Sequence, residues 1–92
     1  MHYVSPTPEQ LEELKQELGL SSDQMANLFG LSAGRQWRRY LSVDPKNRRD
    51  MGMHMLFFAM ARIELDEQTI ERILERMRAT GATIDLTHGG QE

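Results

Sequence analysis

The sequence predicts an all-α domain of five helices followed by a short C-terminal tail. Three observations carry that expectation. Two helix starts of capping-box form, Thr7–Gln10 and Ser21–Gln24, stand near the N-terminus. Apolar residues recur three and four positions apart along most of the chain, the period of a helix buried on one face. Only Ala82-Thr83-Ile84-Asp85-Leu86 alternates in the manner of a strand, and that stretch could pair with a symmetry mate or stay loose.

The elements follow in order. Thr7 can cap the first helix with its hydroxyl, Pro8 suits the first helical position, and Gln10 completes the box. Leu11, Leu14 and Leu18 then share a face, and Gly19 ends the helix. Ser21 and Gln24 open a second helix with Met25, Ala26, Leu28 and Phe29 as its apolar stripe, stopped by Gly30. Ser32 is the expected cap of a third helix running through Leu41. Its packed side holds Trp37, Tyr40 and Leu41, and its other side holds Arg35, Arg38 and Arg39. Pro45 and Asn47 mark a loop from Ser42 to Arg49. A fourth helix is expected from after Asp50 to Ile63. It is apolar nearly all round (Met51, Met53, Met55, Leu56, Phe57, Phe58, Met60), more than one small core can cover. Asp66 caps a fifth helix, with Ile70, Ile73, Leu74 and Met77 as its stripe and Gly81 at its end. One domain over residues 6–80 and a tail over 81–92 are expected.

Composition narrows the function. A chain of 92 residues suits one domain, and 39% hydrophobic with 27% charged residues argues against wholesale disorder. There is no cysteine, which excludes disulfides, thiolate metal sites and a cysteine nucleophile together. The longest apolar run, Met51 to Ala61, is broken by Gly52 and His54 and is too short to span a bilayer. The N-terminus has no basic segment leading into an apolar one, so a cytoplasmic location is expected. Net charge is −3, yet it is unevenly placed. Between Gly30 and Asp50, six basic residues face two acidic ones, a local +4, while five basic and twelve acidic residues elsewhere give −7. A polyanion responds to charge within about 8–10 Å, so the local excess matters more than the total.

The most informative stretch is Ser22 to Leu41. Two short helices are joined by a tight turn, and Ala26 precedes Gly30 by four residues. A small residue midway along the first helix lets the second cross closely, and the glycine supplies a positive φ in the turn. With Phe29-Gly30-Leu31-Ser32 and Arg38-Arg39-Tyr40 in place, Pro6 to about Leu65 resembles the Xre-type, lambda-repressor-like helix-turn-helix family. Arg39-Tyr40-Leu41-Ser42 also resembles, slightly, small phage repressors that accompany anti-CRISPR genes. The resemblance implies sequence-specific DNA binding by a dimer, with the second helix of the pair in the major groove. The family's usual spacing from the turn glycine would bury Gln36 and Arg39. One extra residue within Ala33-Gly34 restores burial of Trp37 and Tyr40.

On that register Arg35, Gln36, Arg38 and Arg39 are the expected base readers, since arginine pairs bidentately with guanine and glutamine with adenine. Gln24, Ser32, Lys46, Arg48 and Arg49 are the expected phosphate contacts. Trp37 as a base-stacking platform is weighed against core packing, and its place in the apolar stripe favours the core. Four of seven methionines lie between Met51 and Met60, and Met53, Leu56, Phe57, Met60 and Met77 are the expected homodimer interface. Two-fold symmetry would set two recognition helices about 34 Å apart on an inverted repeat of double-stranded DNA. The expected function is therefore a small transcriptional repressor of phage or plasmid type. The alternative is a protein-binding inhibitor or adaptor, anti-CRISPR-like or antitoxin-like, on the same scaffold without DNA binding. His2, His54 and His88 are scattered, and the acids from Glu64 to Glu75 have caps and Arg72, Arg76 and Arg78 to serve. No metal, cofactor or catalytic activity is expected.

Overall fold

Side-chain caps define where the first two helices start. The computed structural model describes residues 1–86, and these form α1 (Pro8–Leu18), α2 (Ser22–Leu28), α3 (Gly34–Leu41), α4 (Met53–Glu64) and α5 (Glu67–Ala79). Among the described residues there is no strand; residues 82–85 lack regular structure, and residues 87–92 of the expected tail lie outside the description. Thr7 Oγ1 accepts the Gln10 N–H at 3.1 Å while Gln10 Oε1 accepts the Thr7 N–H at 2.9 Å. Ser21 and Gln24 repeat the arrangement at 3.1 and 2.8 Å. Each box satisfies two N–H groups that a helix start otherwise leaves to water. Gly19 closes α1 at φ 68°, and Gly30 turns the chain after α2 at φ 78°. A Cβ at Gly30 would meet only ordinary contact, 3.5 Å from the Phe58 ring, so the left-handed backbone is what requires glycine there.

The core sits where α1, α2, α3 and α4 converge. Leu11, Met25, Ala26, Phe29, Leu31, Trp37, Tyr40, Met51 and Ala59 are buried in one cluster. Trp37 is fully enclosed, its ring 5.0 Å from that of Phe29 at a 40° tilt. Ala26, the small residue of α2, is buried in this cluster. Outside the helices, the Tyr3 hydroxyl donates to Met51 O at 2.7 Å and fastens the N-terminal segment ahead of the 6–80 span expected for the domain.

Two helix starts differ from expectation. Ser32 does not cap α3; the N-cap is Ala33, and α3 begins at Gly34. Helix α4 begins at Met53 rather than directly after Asp50, with Gly52 as its N-cap. Met51 lies in the preceding non-helical segment, with its side chain buried.

Helix α5 stands apart from this core. Asp66 caps it by accepting the Thr69 N–H at 2.7 Å. Of its apolar stripe only Leu74 is buried, and Leu74 lies outside the main cluster. Arg78 binds Glu71 at 2.8 Å and Glu75, and its Nη2 reaches Ile84 O at 3.1 Å, folding the chain after α5 back along the helix. Among the described residues no helix is long and apolar enough to cross a membrane.

Candidate nucleic-acid interface

Helix α3 has two unlike sides. Gly34, Trp37 and Tyr40 face inward and are buried, whereas Arg35, Arg38 and Arg39 are exposed. Burial of the aromatic pair therefore turns the guanidinium groups outward. Among the described residues, none of these three arginines has a side-chain hydrogen bond or acidic partner, whereas Arg62 and Arg78 are held by protein oxygens. The fixed positive charges on α3 thus form a ridge open to solvent.

The loop after α3 folds back onto the same ridge. Asp44 Oδ1 accepts the Lys46 N–H at 3.0 Å, and Asp44 O accepts the N–H groups of Asn47 and Arg48, both at 2.9 Å. The turn thus built returns the chain so that the Arg49 N–H meets Arg39 O at 3.1 Å. Arg35, Gln36, Arg38, Arg39 and Asn47 line the resulting shallow polar cleft. Lys46 and Arg49 are exposed beside it without an acidic partner among the described residues. Arg48 Nε lies 3.3 Å from Asp50 Oδ1, an exposed pair that offsets part of its charge.

The orientation of α3 rests on two contacts made across the turn. Asp23 Oδ1 accepts the Gly34 N–H at 2.8 Å, so a side chain of α2 caps α3. Gly34 is pressed against α2: a Cβ there would stand 2.6 Å from Asp23 Oδ1 and 3.1 Å from both Asp23 N and Ser22 Cβ. Gln36 reaches back in the same direction. Its Oε1 accepts from Ser32 N at 2.8 Å, Ser32 Oγ at 2.6 Å and Ala33 N at 3.1 Å.

These contacts revise the expected roles of two residues. Gln36 is not a free reader of adenine, because that pairing needs its carbonyl oxygen, which the turn occupies. The Ser32 hydroxyl donates to Gln36 and has no further proton for a phosphate. Gln24 keeps its amide NH2 for an outside acceptor while its oxygen holds the Ser21 N–H. Trp37 is too deeply enclosed to stack on a base. The Asp23–Gly34 contact joins residues eleven apart and follows no local sequence pattern. Its one visible trace is a glycine in the first turn of a helix, a position where glycine needs a reason.

The expected dimer interface divides in two. Leu56 and Met60 pack against the protein's own core and are withdrawn from it, since α4 turns that side toward α1–α3. Phe57 is 70% exposed, and with Met53 and Met77 it borders an apolar groove between α4 and α5 that Ile70, Ile73 and Leu74 complete.

Compared with known protein families, curated proteins and solved structures, the chain matches none of them.

Proposed function

We propose that this chain binds double-stranded DNA sequence-specifically as a homodimer and acts as a small transcriptional repressor, with α2 and α3 as a helix-turn-helix pair. The observation that carries the reading is the ridge of Arg35, Arg38 and Arg39, exposed and without acidic partners among the described residues, in a chain whose net charge is −3. On this reading α3 enters the major groove, and its guanidinium groups meet base edges. Lys46 and Arg49, with the Gln24 amide and a partly neutralised Arg48, meet phosphates on either side. The apolar groove between α4 and α5 joins two copies and sets the distance between their α3 helices.

Titration of the protein into labelled duplexes carrying the DNA upstream of its gene, at several salt concentrations, tests this. Retention that is specific and weakens steeply with salt supports it. Arg35→Ala should then cost about 1–3 kcal/mol of specific binding. Absence of retention at low salt refutes it and favours the second reading, a protein-binding adaptor. That reading draws on the 70% exposure of Phe57 beside Ile73 and Met77, an apolar face suited to another protein.

A further inference from the structure

The side chains that α3 presents to solvent have a common chemical limitation. Arg35, Arg38 and Arg39 carry only donors. Gln36 ordinarily offers both a donor and an acceptor, but its oxygen takes three hydrogen bonds from Ser32 and Ala33. Two of those come from backbone N–H groups, so the oxygen end of the amide must face them, and its two lone pairs are filled. Only the Gln36 NH2 remains. Among the side chains that α3 exposes, none can therefore accept a hydrogen bond from the amino group of adenine or cytosine; Tyr40, which has an acceptor oxygen, is buried. Guanine alone shows two adjacent acceptors, N7 and O6, in the major groove; adenine and thymine each show one, and cytosine shows a donor.

Position along the helix sharpens this. With Gly34, Trp37, Tyr40 and Leu41 turned inward or half-buried, Arg35 and Arg39 lie nearest the middle of the outer face, at about 100° per residue. Arg38 and Gln36 flank them. Arg35 and Arg39 are one helical turn apart, about 6 Å along the axis, close to two base-pair steps of about 3.4 Å.

We infer that α3 reads guanine and no other base, through Arg35 and Arg39 at two nearby positions of each half-site, and that Gln36 is a positioning residue which holds the turn. This rests on the DNA-binding reading above and specifies its target.

Selection of bound duplexes from a randomised pool by the full chain tests the inference, followed by replacement of each recovered guanine with 7-deazaguanine, which removes N7. The expected result is a half-site with two guanines at fixed spacing, each losing about ten-fold or more in affinity on replacement. In Arg35→Ala one of the two positions becomes insensitive to the replacement, and in Arg39→Ala the other does. Gln36→Ala weakens binding to all sequences alike and leaves the base preference unchanged. Recovery of adenine at these positions, with the preference lost in Gln36→Ala, overturns the inference while leaving DNA binding intact. So does binding without any base preference. Failure to recover any duplex at low salt overturns the DNA reading itself.

Discussion

Gly34→Ala isolates the contact that aims α3. The added Cβ would fall 2.6 Å from Asp23 Oδ1, which must swing away and release the Gly34 N–H it holds at 2.8 Å. Loss of such a cap costs about 0.5–2 kcal/mol, and this pair is partly exposed, which favours the lower half of that range. The Asp23 backbone N and Ser22 Cβ, at 3.1 Å, cannot swing; α3 must withdraw from α2 by a few tenths of an ångström. Opposing both, alanine has less freedom than glycine in the unfolded chain, worth about 0.4–1 kcal/mol. The net loss of stability is therefore small, about 1 kcal/mol, whereas on the proposed reading the shift of α3 acts on every groove contact at once. Urea unfolding followed by fluorescence of Trp37, the chain's one tryptophan and a fully buried one, measures the first effect. Duplex titration measures the second, which should exceed the first. Asp23→Ala supplies the control: it should cost about 1 kcal/mol in the parent chain and almost nothing in Gly34→Ala, where its bond is already gone. Equal costs of Asp23→Ala in both backgrounds would refute the claim that Asp23 holds α3.

Four other outcomes are expected. Arg49→Ala should weaken binding to all sequences and lower the log–log salt slope by about one, and Arg48→Ala should do less because Asp50 already offsets its charge; salt titrations compare them. Phe57→Glu, at a 70% exposed site, should leave monomer stability nearly unchanged and shift the proposed dimer to monomer in sedimentation equilibrium. Arg62→Met, which keeps the stem but loses the Nη1 bonds to Asn27 O (2.8 Å) and Leu28 O (3.0 Å), should cost about 1 kcal/mol in urea unfolding, the site being only half-buried. Acid should loosen α5 first. Hydrogen bonds from Thr69 hold Asp66 below its ordinary range, and the bond from Arg78 does the same for Glu71. Their stabilisation is full above the unfolded carboxylate values near pH 4 and is lost as pH falls through the lower folded values. Helicity should therefore drop below about pH 4 in Asp66→Asn less than in the parent, as circular dichroism would record.

The local grammar of this chain was legible in its sequence; the contacts made across turns were not. Thr7, Ser21 and Asp66 cap α1, α2 and α5, because a cap depends on residues three positions apart. Burial of Trp37 and Tyr40 followed from the stripe, once one residue was added to the turn. Ser32 failed as a cap because α3 starts where Asp23, eleven residues earlier, can reach its first N–H. Gln36 has the composition of a base reader, and only the path of the turn shows its oxygen engaged. The all-round apolar character of α4 announced a surplus of apolar surface without saying which side faced the core. Leu56 and Met60 pack on the core beside the buried Ala59, and Phe57 is left exposed.

That placement of α4 ties the two halves of the proposed function together. One side of the helix is part of the core that orients α3, through Ala59, Leu56 and Met60. The other side, with Phe57 and Met53, borders the groove formed with α5. Near its C-terminal end, Arg62 lies 5.3 Å over the Phe58 ring and grips the last carbonyls of α2, so α4 cannot rotate without disturbing the pair that carries the arginine ridge. Helix α5 has no comparable hold on the core, since Leu74 is its single buried apolar residue and lies outside the main cluster. On the proposed reading, α4 is the rod through which a partner seated on α4 and α5 would act on α3. In a symmetric dimer that rod fixes the separation of the two ridges, and with it the spacing of the half-sites, whereas a change confined to α5 alters how tightly two copies join more than where their ridges point.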